Sequence, residues 1–297
     1  MEFKQLQSYV SVVKYGSFTK AAEKLFISQP TVSAHVSALE EELKQKLITR
    51  TTKSIEITEK GQEVYEYAVH ILEMRDRMVG SCTEEERQVI YLGASTIPAA
   101  YILPKILPEF KKQFPEICFV IDQTDSQGVA DGLLEGRFDI GFIGMKQDDK
   151  LICEPFCEDR MVLVTPVMKK FLDMQKQQAI PMVQLMQEPM ILREKGSGSG
   201  KHAADIMESM GLSEEQLQVT AWINDQETTK YLVAGGLGVS IISEKAARNF
   251  VEEKRLLQFE LPPRNSRYLY LVYRKEEAMK PHVREFADFV RSRSMAQ

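Results

Sequence analysis

A chain of 297 residues exceeds one ordinary small domain, so at least two hydrophobic cores are expected. Hydrophobic content of 43% and charged content of 27% are those of a globular protein and exclude a disordered or fibrous class. The net charge of -5 argues against a uniformly basic nucleic-acid binder, but it is unevenly spread: residues 1–58 hold eight Lys/Arg against six Asp/Glu, and the remainder is acidic. The opening segment carries Glu2 and no continuous apolar run, so neither a signal peptide nor a membrane span is expected, and the expected location is the cytoplasm. Cys82, Cys118, Cys153 and Cys157 match no paired CxxC plan. They read as buried thiols rather than a zinc half-site or a redox pair.

In chain order, Leu6, Tyr9, Val10, Val13 and Phe18 recur at roughly helical spacing and predict a first helix ended by Gly16. Ser17 is placed to cap a second helix, Phe18 to Leu25, whose Ala21 and Ala22 permit close approach. Ser28 is placed to cap a third helix, with Pro30 in its first turn, where a missing N–H costs nothing. On that helix Val32, Val36 and Leu39 form one stripe, while Pro30, Ala34 and Ser37 point the other way, flanked by Thr31 and Ser33. Two short helices joined by a tight turn, the second with a face of small and hydroxylated side chains, read as a helix-turn-helix that enters the major groove. Residues 47–50 and 55–57 then predict two short strands around a polar turn. Arg50 and Lys53 stand where such a wing meets phosphate or the minor groove. Thr58 is placed to cap a long helix with Val64, Tyr67, Ala68, Ile71, Leu72, Met74 and Met78 near one side, a stripe that needs a partner.

The run FTKAAEKLFISQPTVSAHVSALEEELKQKLITRTTKSIEITEKG resembles the winged helix-turn-helix of LysR-type transcriptional regulators. The resemblance implies contacts with double-stranded DNA through Gln29, Pro30, Thr31, Ser33, Ala34 and Arg50, a homodimer or homotetramer, and a periplasmic-binding-protein-like ligand domain. Ala34 departs from the basic or longer polar residue common there, and Leu47-Ile48 from a Leu-Phe pair. The expected fold is α/β with an all-α winged helix-turn-helix. Expected boundaries are 1–58 for DNA binding, 59–88 for a linker and dimerisation helix, and 89–297 for effector binding. The last divides into a first subdomain (89–162 and 266–297) and a second (163–265).

From Val89 onward, strand-like and helix-like stretches alternate, as in βαβ units of a parallel sheet. Two segments follow strands with hydroxyl-rich helix starts: Ser95-Thr96 and the stretch REKGSGSGKHA, 193–203. The second fails as a nucleotide-phosphate loop, because Lys195 occupies the place of the first glycine and His202 that of the magnesium-binding hydroxyl. What remains is a set of backbone N–H groups and hydroxyls suited to a small anion, with Ser95, Thr96, Ser197, Gly198 and Ser199 as its members. Gln127, Thr165 and Arg193 are candidates for the same cleft. The alternative is that Ser95 or Ser199 merely caps a helix. Gly235-Gly236 reads as a helix terminator, not a dinucleotide fingerprint.

The four histidines are scattered, no metal motif or GxSxG elbow occurs, and neither catalytic residue, metal nor cofactor is expected. The favoured reading is a transcription regulator controlled by a small effector, an oxyanion or a carboxylate, with no membrane partner. A solute-binding protein and an anion-using enzyme with an accessory helix-turn-helix are the alternatives.

Overall fold

The computed structural model describes residues 1–50, 55–81, 88–146, 150–176, 182–194, 197–261, 266–275 and 279–294. The wing turn with Lys53, Cys82, and Lys195-Gly196 of the glycine-rich stretch lie outside the described residues. Two compact units are present, Met1–Glu86 and Arg87–Gln297.

The first unit comprises α1 (Phe3–Tyr15), α2 (Phe18–Leu25), α3 (Gln29–Leu43), the strands β1 (Ile48–Arg50) and β2 (Ile55–Ile57), and α4 (Glu59–Ser81). The helix starts follow local chemistry. The Ser17 hydroxyl accepts from the Lys20 amide and the Ser28 hydroxyl from the Thr31 amide, each at 3.3 Å, so each satisfies a donor that the first turn cannot. Gly16 ends α1 at φ 61°, a left-handed conformation that suits glycine. Leu6, Tyr9 and Val12 of α1 pack on Val32, Val36 and Leu39 of α3, with Ala21 and Ala22 of α2 letting the helices approach. The Tyr9 hydroxyl donates to the Gly61 carbonyl at 2.7 Å, tying α4 to this core. β1 and β2 pair antiparallel, Ile48 opposite Ile57.

Glu40 joins α3 to the wing. Its buried carboxylate accepts from the Leu47 and Ile48 amides at 2.9 and 3.1 Å and from Lys46 Nζ at 2.6 Å. Burial raises its pKa, but the Lys46 ammonium and the two amides outweigh burial and hold the carboxyl below its ordinary value.

The second unit is two α/β lobes. Its elements begin with β3 (Val89–Ala94), a π-helical turn (Pro98–Ile102) leading into α5 (Leu103–Gln113), β4 (Cys118–Gln123), α6 (Ser126–Leu134) and β5 (Ile140–Ile143). Next come the long β6 (Leu151–Pro166), α7 (Lys169–Gln175), α8 (Met182–Met186), β7 (Met190–Arg193), α9 (Gly198–Ser209), β8 (Val219–Ile223) and α10 (Gln226–Ala234). The chain closes with β9 (Ser240–Ser243), α11 (Glu244–Glu252), β10 (Leu256–Glu260), β11 (Ser266–Arg274) and α12 (Pro281–Ser294). β3 is parallel to β4 and β5, and β7 to β8, as the alternation predicts. β11 instead returns antiparallel to β5 and β6, and β9 and β10 also run antiparallel to β6. The reason is topological: β6 carries the chain out of the first lobe and β11 brings it back, so the two must oppose each other.

β6 serves both lobes. Leu151–Arg160 pairs with β11, and Met161–Pro166 pairs with β9 and β10. In the first lobe, Phe110 of α5 meets Phe286 of α12 at 5.0 Å and stacks on Phe114 at 4.6 Å, contacts worth about 0.5–1.5 kcal/mol each beyond burial. In the second, Met161 and Leu163 face one helical layer while Val162 and Val164 face the other, the period-two pattern of a strand buried on both sides. The cysteines differ from expectation: Cys118 is exposed and Cys153 and Cys157 are half-buried. Cys118 opens β4, which is the edge strand of its sheet among the described residues.

Glu40→Ala leaves the Leu47 and Ile48 amides without their acceptor, at about 1–3 kcal/mol each before relaxation. Hydrogen exchange of α1–α3 peptides in the full chain should show a loss of about 2–4 kcal/mol, with Glu40→Gln losing less. The folded-state pKa is depressed, so this stabilisation is complete above the ordinary glutamate value of about 4.3 and fades as pH falls through the lower folded value. Protection of the wild type should therefore drop towards that of Glu40→Ala in acid.

Candidate functional site

In the first unit the exposed end of α3 presents Gln29, Pro30, Ala34 and Ser37, with Thr31 and Ser33 half-buried beside them. The first turn is closed by a hydrogen bond between Ser28 Oγ and Thr31 Oγ1, 2.7 Å apart. His35 turns from this face to share a hydrogen bond with the buried Ser8 at 2.8 Å. Arg50 is the last residue of β1, opposite Ile55. A helix end with short side chains and free surface can approach a duplex closely, and its N-terminal amides favour phosphate.

The stripe of α4 divides. Ala68 is buried in the first unit's core, with Val64, Tyr65 and Leu72 packed against it, whereas Tyr67, Ile71, Met74, Met78 and Val79 are exposed. Large apolar side chains recurring on the outer face of one helix form a seam suited to a second helix.

In the second unit three helix starts converge on one cavity of about 20 Å³, lined by Ser95, Thr96, Ile97, Asp125, Ser126, Gly144, Arg193, Ser197, Gly198, Ser199 and Arg267. Six of the eight residues expected in a cleft thus come together: Ser95, Thr96, Arg193, Ser197, Gly198 and Ser199. Gln127 and Thr165 do not line it. Helical rotation carries Gln127 one position past the inward-facing Ser126, and its amide bonds Asp131 on the outer surface at 2.9 Å. Thr165 lies in the interior of the second lobe, fully buried, with its hydroxyl on the Pro166 carbonyl at 3.3 Å.

The serines have different roles. Ser197 caps α9, accepting from the Gly200 amide at 2.9 Å. Ser199 instead accepts from Arg267 Nη2 at 2.9 Å. Gly200 has no room for a side chain: a Cβ there meets Ser197 Oγ at 2.9 Å and Arg193 Cβ at 3.0 Å. Ser126 is buried and accepts from the Gly144 amide at 3.3 Å. Asp125 caps α6 through the Gly128 amide at 2.6 Å, which occupies one of its oxygens.

Sequence reading missed Arg267 and the group that holds it. Asp159 of β6 is fully buried and accepts from Arg267 Nε and Nη2 at 3.1 and 3.0 Å. Its other oxygen accepts from the Ser243 hydroxyl at 2.5 Å. Asp159 and Arg267 stand directly opposite in the antiparallel register, a juxtaposition 108 residues apart in the chain that no local motif announces. Across the cavity, burial pushes the Arg193 guanidinium below its ordinary value; Glu194 and Asp225 oppose this, and the Arg267 charge adds to it. Among the described residues, Arg193 Nε and Nη1 and Arg267 Nη1 are buried without a hydrogen-bond partner. Buried donors left this way are costly.

Residues 3–62 match the family model described as the bacterial regulatory helix-turn-helix protein, lysR family, and residues 83–294 match that of the LysR substrate binding domain. The chain belongs to the LysR family of transcriptional regulators. The regulator is 30% identical over 290 residues to an uncharacterized HTH-type transcriptional regulator of Methanocaldococcus jannaschii, covering 96% of each chain. It is 29% identical to the HTH-type transcriptional regulator CysL of Bacillus subtilis, over 84% of this chain and 82% of that one. In structure it is similar to CbnR crystallised with its target DNA complex, at TM-score 0.78 and 20% identity over 99% of this chain and 100% of that chain. It is thus a DNA-binding transcriptional regulator with a ligand-binding domain, not an enzyme. No described helix is long and apolar enough to cross a membrane.

Removing one partner of a buried ion pair costs about 3–5 kcal/mol, because the other charge is left uncompensated. Asp159→Ala should therefore destabilise the regulator's second unit by about that amount in urea unfolding followed by the single tryptophan, Trp222. Ser243→Ala, which removes only a hydroxyl, should cost about 1 kcal/mol.

Proposed function

We propose that the regulator reads duplex DNA through Gln29, Pro30, Thr31, Ser33 and Ala34 of α3, with Arg50 and Lys53 of the wing on the backbone, and that its cleft binds a small anion. In this reading residues 1–58 bind DNA, 59–88 pair two chains through the exposed face of α4, and 89–297 sense the ligand with two subdomains. The observation that carries the effector reading is the set of three buried, unpartnered N–H nitrogens on Arg193 and Arg267 beside one small hydroxyl-lined cavity. Two guanidinium edges with unpartnered N–H donors favour an anion that accepts several hydrogen bonds at once. A cavity of about 20 Å³ favours a tetrahedral oxyanion over a bulky organic acid, and a short carboxylate comes second. The effector shifts the spacing of paired α3 helices only as far as its affinity differs between the two arrangements.

The DNA reading is tested with the duplex next to the regulator's own gene. Ala34→Asp, which sets a carboxylate towards the phosphates, should weaken binding by about tenfold or more in fluorescence anisotropy with unfolding unchanged. Equal affinity of variant and wild type would remove α3 as the reading element.

Calorimetric titration with sulfate tests the effector reading. Ser95→Ala and Ser199→Ala should each raise the dissociation constant about tenfold, since hydrogen bonds to a charged group contribute about 1.5–3 kcal/mol. Saturable binding of neither sulfate nor acetate would sink the anion assignment.

A further inference from the structure

A second cavity, of about 710 Å³, shares no lining residue with the cleft. One wall is the first lobe: Ile102 of the π-helical turn, Ile106 of α5, Phe156 on β6 and Val290 of α12. The facing wall is α11 of the second lobe, which brings Lys245, Arg248 and Asn249. The interior is therefore apolar and the rim charged. Of the rim cations, Arg293 is engaged by Glu109. Lys105, Arg248 and Lys245, which also bonds the Cys157 thiol, stand against Glu252, so the mouth is cationic.

The spacing between the walls is held by a network behind the cavity. Tyr101, which lines it, donates to Glu227 at 2.5 Å. Glu227 pairs with the fully buried Lys230 at 2.7 Å, and Lys230 donates at 3.2 Å to Asn249, on the opposite wall. Lys230 also sits over the rings of Tyr101 and Phe250, at 5.4 and 4.7 Å. A pocket of several hundred cubic ångströms with apolar walls, a charged rim and tied edges has the dimensions of a small-molecule site.

We infer that this cavity is a second ligand site, for a carboxylate with an apolar body, whose chain or ring lies against Ile102, Ile106 and Phe156 while its charge meets Lys105, Lys245 and Arg248. A large apolar contact combined with one anionic end matches the lining, whereas an inorganic oxyanion leaves the apolar walls uncovered. Because the walls belong to both lobes, occupancy is linked to their relative placement, and so to the cleft.

Decanoate is the probe. Titrated into the full chain by calorimetry, it should bind at one site per chain, and Arg248→Glu on the exposed rim and Ala100→Trp, whose ring fills the cavity, should each weaken it about tenfold or more. Alkylation of the lining Cys157, read by peptide mass spectrometry, should slow in decanoate while that of the exposed Cys118 does not. Absence of saturable binding, equal affinity in both variants, or unprotected Cys157 overturns the assignment. A self-associated state of the wild type that both variants dissolve, without decanoate binding, would give the cavity to a second copy of the chain and likewise overturn it. The Cys157 measurement decides the matter if Ala100→Trp does not fold. No readout requires a ligand beside Ser199, so with no oxyanion added the failure of this site and the failure of the cleft reading are distinguishable.

Discussion

The ion pair between Asp159 and Arg267 is the constraint on which the ligand-binding unit depends. It sits where β6 leaves the first lobe and β11 returns to it, and the Ser243 hydroxyl brings the end of β9 to the same carboxylate. One buried acceptor thus joins three strands at the boundary of two lobes. Burying two charges is expensive, and a pair of apolar residues could hold strands as well. What apolar residues could not supply is a guanidinium whose Nε and Nη2 are held by Asp159 and whose Nη1 remains buried beside the cavity without a partner.

That division explains the chemistry of the cleft. Three helix starts contribute amides and hydroxyls, which are neutral, while Arg193 and Arg267 contribute charge from β7 and β11. Most nearby carboxylates are engaged by the fold: Asp159 by Arg267 and Ser243, Asp125 and Asp225 by helix caps, while the exposed Glu194 stands 3.9 Å from Arg193. With most of the negative groups occupied by the fold itself, the space between the lobes keeps an excess of donors. In the proposed reading such an arrangement is preorganised for an anion, and the cost of holding donors unpaired is met by the stability of the surrounding sheet.

The first unit solves a different problem with similar means. The Glu40 carboxylate accepts two consecutive amides beyond the turn that ends α3, and so ties the start of β1 to that helix. In the proposed reading, the weak basic excess of the segment leaves close fit of small side chains, rather than a dense cationic surface, as what α3 brings to a groove. Part of the remaining apolar surface lies along α4, where a second chain would cover it, and part at Phe3, Phe26 and Leu43.

Much was legible from local chemistry. Helices α1 to α3, their serine caps, the terminating glycines at 16 and 235–236, the two wing strands and the alternation after Val89 follow from periodicity and capping, which act within a few residues. The same rules placed Ser95, Thr96, Ser197, Gly198 and Ser199 at helix starts, but they could not separate Ser197, which caps, from Ser199, which faces Arg267. Gln127 was misplaced by one position because helical phase depends on where α6 begins, and its cap, Asp125, looks like any other loop aspartate. The sequence by itself therefore determined the elements, their order and the hydroxyl-rich turns between them. Only the tertiary structure decided which turns meet, that β6 and β11 run opposed, and that Asp159 restrains Arg267, because pairings across a hundred residues are set by sheet register and the burial of charge, and neither leaves a local signature.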